Sequence, residues 1–159
     1  MDVAASQARS GAQPWWAVLT VWVVVNAVNV LQAIGFATRT VEPGVNRAGG
    51  IVIALLAIPA TMALVGFVRA AAGWRHLAGP LAFDAFVACH VVVDYWLRIP
   101  FREPGHTAVL AAYVALFFGS IFLMGIPMFR IDRRRWAVTA ATTVALLAAM
   151  VWAIGQGVG

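Results

Sequence analysis

The chain has 159 residues, 63% hydrophobic and 11% charged, against roughly 45–50% and about 25% in soluble globular domains. A soluble fold of this length cannot bury that much apolar surface, whereas lipid tails solvate it. The net charge of +5 comes from eleven arginines without a lysine. They lie scattered between apolar runs, which argues against a nucleic-acid partner and for a role in membrane orientation.

Residues 1–14 read as a polar N-terminal tail with one arginine. The apolar run behind it exceeds the roughly 7–15 residues of a signal-peptide core and lacks a small-x-small cleavage site, so it reads as a retained span. Residues 15–159 then form a single transmembrane domain. A span needs about 20 apolar residues, and five segments qualify. The first, 15–36, opens on Pro14 and the Trp15-Trp16 pair, side chains suited to the interfacial belt. The second, 51–68, begins after Gly49-Gly50 and carries Pro59 near its centre. The third, 81–97, follows Gly79-Pro80 and ends at Arg98 and Pro100. The fourth, 107–129, has Pro127 in its last turn. The fifth is 136–154.

The third segment is short and holds Asp84, His90 and Asp94, and a central Asp costs about 2.5–3.5 kcal/mol on insertion scales. The alternative is four spans with 81–97 re-entrant. Arginine counting decides between them. With five spans, Arg9, Arg69, Arg75, Arg130, Arg133, Arg134 and Arg135 share one side, and Arg39, Arg47, Arg98 and Arg102 the other. With four spans the bias disappears. The positive-inside rule therefore predicts five membrane helices, an all-α bundle, with the N-terminus cytoplasmic and the C-terminus outside. Arginine without lysine, beside abundant Ala, Val and Gly, points to a GC-rich bacterial genome and so to a bacterial plasma membrane.

Small residues recur every fourth position in the fifth span (Ala137, Ala141, Ala145, Ala149, Ala153) and in the fourth (Ala111, Ala115, Gly119). Such stripes let helix backbones approach closely in lipid, so these two spans are expected to pack as an antiparallel pair. Cys89 is the only cysteine; it allows no intrachain disulfide and reads as a small packing residue.

Polar groups deep in a bilayer are expensive and need a reason. Asn26, Asn29 and Gln32 share a face of the first span, and His90 and Asp94 are neighbours one turn apart on the third. These residues and Tyr113 of the fourth span fall at overlapping depths, so a candidate intramembrane cluster comprises Asn26, Asn29, Gln32, His90, Asp94, Asp84 and Tyr113. Structural readings stand beside it. Asp84 falls in the first turn after Pro80, where the helix dipole favours a carboxylate. Asp94 lies four residues before Arg98, the spacing of an interfacial ion pair. Asn and Gln commonly join membrane helices by hydrogen bonds.

No catalytic, cofactor or metal site is expected. A membrane b-type haem usually needs two axial histidines, and only His90 is deep. No Gly-rich phosphate loop, nucleophile elbow or His-Glu-x-x-His motif occurs. The string Asp94-Tyr95-Trp96-Leu97-Arg98-Ile99-Pro100-Phe101-Arg102 is similar to an Asp-Tyr-x-Leu-x-Ile-x-Phe-Arg stretch in a group of small uncharacterised bacterial membrane proteins. That resemblance implies a membrane protein and no activity. The sequence thus predicts a non-enzymatic structural or accessory component of the cell membrane, its partners the lipid bilayer and either further copies of itself or a larger membrane complex. The alternatives are an oligomeric transporter or ion pathway lined by Asn26, Asn29, Gln32, His90 and Asp94, and an enzyme using His90 and Asp94 as an acid–base pair.

Overall fold

The computed structural model describes residues 13–39, 41–97 and 107–156. Among them are α1 (Trp15–Thr38), α2 (Pro43–Leu55), α3 (Ala57–Arg69), α4 (Trp74–His90), a π-helical continuation (Val91–Trp96), α5 (Thr107–Gly125), α6 (Met128–Ile131) and α7 (Arg133–Gly155). They make five helices long and apolar enough to cross a membrane: Trp15–Thr38, Gly44–Arg69, Trp74–Trp96, Ala108–Ile131 and Arg133–Gly155. Large apolar side chains such as Val30, Ile58, Met62, Leu81, Val144 and Val151 face outward, as lipid-solvated helices require.

Proline explains the interruptions. Pro59 has no N–H and its ring crowds the carbonyl four residues back, and the second span is interrupted just before it, at Leu56 between α2 and α3. Pro127 ends α5 in the same way, and α6 resumes at Met128. Pro80 does not start a helix. The third helix begins at Trp74, after Gly73 in an extended conformation, and carries Pro80 inside. This lengthens the third span to 23 residues, so a re-entrant segment is not required. It also moves Asp84 ten residues, about 15 Å, from the helix start. The first-turn dipole explanation of Asp84 therefore fails.

Neighbouring spans pack in the order fifth, first, second, third, fourth, and the ring is left nearly open between fourth and fifth. This overturns the expected pairing of the last two spans. Ala137, Ala141, Ala145, Ala111 and Ala115 are all exposed. The fourth span packs on the third, where Gly79 permits the approach: a Cβ there would lie 2.8 Å from the Met124 nitrogen and 2.9 Å from the Leu123 carbonyl carbon. The fifth span packs on the first, in parallel. Asp132 caps α7 by accepting from the Arg134 and Arg135 amides at 2.9 and 3.3 Å. The Arg135 guanidinium lies 4.2 Å from the Trp15 ring centroid, and Trp22 Nε1 donates to the Arg135 carbonyl at 3.0 Å. Between the spans lies a core that includes Val21, Val25, Val28, Phe83, Phe86 and Ile121.

Candidate functional site: a cavity walled by His90, Asp94 and Tyr113

The polar residues of the first span divide between two environments. Asn26 and Asn29 turn to the fifth span. Asn26 Nδ2 donates to Thr139 Oγ1 at 3.1 Å, and its Oδ1 accepts from Thr142 Oγ1 at 2.8 Å. Asn29 Nδ2 donates to Thr142 and Thr143 hydroxyls at 3.0 and 2.9 Å. The three threonines, spaced i, i+3 and i+4, are a legible polar signal in the fifth span. Gln32, one turn further on, lines a cavity instead.

His90 and Asp94 meet as their spacing predicts, and Tyr113 of α5 joins them. His90 Nδ1 lies 2.6 Å from Asp94 Oδ2 and 2.9 Å from the Tyr113 hydroxyl, which donates to Asp94 Oδ2 at 3.4 Å. A carboxylate against Nδ1 holds the ring proton there, which orients the imidazole and leaves Nε2 as the second nitrogen. Nε2 is buried and has no hydrogen-bond partner among the described residues. Phe86 stacks on the imidazole at 5.9 Å.

The π-helical turn adds Tyr95. Its i→i+5 bonding, seen in Leu97 N–H donating to the Val92 carbonyl at 2.8 Å, brings the fifth residue onto the face of the first. Tyr95 accordingly stands edge-on to His90, ring centroids 5.5 Å apart. Both side chains press on Gly50 of α2, where a Cβ would lie 2.9 Å from the Tyr95 hydroxyl and 3.2 Å from His90 Nε2.

These residues wall a cavity of about 900 Å³ to which all five spans contribute, including Gln32, Gly50, His90, Tyr113 and Met150. The volume lies within the roughly 300–1,000 Å³ of small-molecule sites. At about 1.5 Å per residue, these residues sit about 7–11 Å below the helix ends on the face opposite Trp15 and Arg133. Arg39, Asn46 and Arg47 stand nearer those ends. On one side the cavity is bounded by Val114 and Phe118 of the fourth span and Ala153 and Ile154 of the fifth, the two spans that scarcely meet. Toward the other membrane face, Phe86 packs against the His90 and Tyr113 rings, and it and Phe83 are fully buried.

Asp84 belongs elsewhere. Its Oδ2 accepts from Thr61 Oγ1 at 2.9 Å, and its other carboxylate oxygen is buried with no hydrogen-bond partner among the described residues. Arg98, the expected partner of Asp94, lies outside the described residues, as does the rest of the distinctive string after Leu97. Among the described residues, no group of three His, Cys, Asp or Glu side chains could hold a metal ion. Sequence reasoning missed Gly50, Tyr95, Asn46, Arg39 and Arg47 as wall residues. A scan against protein-family models and searches of curated proteins and solved structures returned no match. The functional reading therefore rests on the geometry of the cavity.

Proposed function

We propose that this is a multi-pass protein of a bacterial plasma membrane, with a cytoplasmic N-terminus, that serves as a non-enzymatic accessory component by holding a lipid-soluble or amphiphilic molecule in the cavity. The observation that carries this reading is the mixed wall. His90, Asp94, Tyr113 and Gln32 offer a few convergent polar groups, while Leu31, Phe117, Phe118 and Met150 supply apolar surface, the composition of a small-molecule site. Entry between the fourth and fifth spans connects it to the bilayer. The commitment of Asn26 and Asn29 to the fifth span favours a one-sided pocket over an ion path through the single chain. A second reading, acid–base catalysis by His90, draws on the unpaired Nε2. It gains no support from a nucleophile, because Ser120 is buried and donates to the Phe117 carbonyl.

Photolabelling tests the pocket. With the purified protein in phosphatidylcholine nanodiscs, dodecanol bearing a tail diazirine should mark peptides containing Leu110–Phe118 and Met150–Ile154. Val114→Trp, which puts a large ring into the side opening, should reduce that labelling several-fold. Labelling spread evenly over lipid-facing positions such as Val65 and Val144, and unchanged by Val114→Trp, would show that no pocket is used.

A further inference from the structure

We infer that the cavity selects an amphiphile with an anionic headgroup, a carboxylate or a phosphate, over a neutral one of equal length. The inference rests on the pocket proposed above and names the chemistry that the pocket reads.

Among the described residues, the charges lining the cavity are Arg39, Arg47 and Asp94. The single negative charge is engaged within the wall, since Asp94 Oδ2 meets both His90 Nδ1 and the Tyr113 hydroxyl. Arg47 is exposed and makes no ion pair among the described residues. It stands in the second turn of α2, whose N-cap residue Glu42 makes no side-chain cap hydrogen bond. Among the described residues that line it, the rim of the cavity is therefore electropositive at the depth where a lipid headgroup sits.

The inner wall adds one polar contact. His90 is only 7% exposed, and its Nε2 lacks a partner among the described residues. With Nδ1 engaged by Asp94 Oδ2 and the Tyr113 hydroxyl, Nε2 beside Gly50 is the His90 atom left for a headgroup. A polar headgroup satisfies it, whereas an alkyl chain leaves it unpaired at a cost. The rest of the wall is aromatic and aliphatic, with Phe117 and Phe118 deeper than His90 and Phe36 and Leu110 nearer the rim, available to the tail. A cationic rim, one deep polar contact and an apolar remainder describe an acidic amphiphile.

Competition against the photolabel provides the test. Dodecanoate, dodecyl phosphate and dodecanol are each titrated against the tail-diazirine dodecanol on the protein in phosphatidylcholine nanodiscs. Charge-assisted hydrogen bonds exceed neutral ones by enough that one or both anions should compete about tenfold better than the alcohol. The stronger anion identifies a carboxylate or a phosphate ligand. Arg47→Gln, at an exposed position, should narrow the preference to about threefold or less, while His90→Gln should weaken all three competitors. Specific labelling with equal competition by all three compounds overturns the anionic selectivity and leaves the pocket standing. A preference that survives Arg47→Gln overturns its assignment to the arginine rim. Absence of cavity labelling by the photolabel itself overturns the pocket and the inference with it.

Discussion

Ala71 holds a backbone conformation that glycine normally takes. Its φ is 51°, in the left-handed region where a Cβ costs roughly 1–2 kcal/mol. The conformation is fixed by a helix stop: Ala71 N–H donates to the Val68 carbonyl at 3.0 Å and Ala72 N–H to the Phe67 carbonyl at 2.9 Å, the paired bonds of a Schellman motif with glycine missing from its usual place. Ala71→Gly should therefore stabilise the protein by up to about 1 kcal/mol, the greater freedom of glycine in the unfolded chain offsetting part of the gain. A rise in thermal midpoint in detergent measures it; an unchanged or lower midpoint would mean that the left-handed turn carries no strain. The site shows the same dependence on backbone detail. His90 and Asp94 were legible because i,i+4 neighbours touch on any α-helix. Tyr95 was not, because an α-helix would carry it away from His90, and only the π turn returns it.

Which helices meet depended on a weaker signal. Alanine at every fourth position is as common in an alanine-rich sequence as in a packing seam, and here Ala137, Ala141 and Ala145 face outward while Ala153, at the far end of the stripe, is buried. The first and fifth spans are joined instead by the Asn26 and Asn29 amides and the threonines at 139, 142 and 143, polar pairs that hydrocarbon rewards because an unpaired amide there is costly. Asn29 is fully buried. Asn29→Leu removes two interhelical hydrogen bonds and should cost about 1–3 kcal/mol, read as a lower thermal midpoint. Ala141→Leu and Ala145→Leu, on the exposed face, should leave the midpoint within about 1 °C of the parent, as surface substitutions usually do. The opposite ranking would mean that the fifth helix seats on its alanines. Span type was readable from hydropathy, and span number from hydropathy together with the arginine count. The early start of the third span was not, because Pro80 looked like a boundary and is tolerated six residues inside the helix.

At the scale of the molecule, the cavity and the arginine bias occupy opposite membrane faces. The cavity is walled by the C-terminal ends of the first, third and fifth spans and the N-terminal ends of the second and fourth. Arg69, Arg75, Arg130 and the Arg133-Arg134-Arg135 run lie at the other ends. If the richer arginine side is cytoplasmic, the pocket opens in the outer leaflet and meets molecules arriving from outside the cell. Two turns report the orientation without disturbing the bundle. Val41 lies between the first and second spans and is 76% exposed. Gly73 precedes the third span, with nothing within 4 Å of where a Cβ would be. In a Cys89→Ala background, Val41→Cys should react with a membrane-impermeant maleimide on intact cells, while Gly73→Cys should react only after permeabilisation. The reverse pattern would invert the molecule and put the pocket in the cytoplasmic leaflet, where its ligand would come from within the cell. Labelling of both positions from outside would contradict a second span that crosses, since these residues flank it.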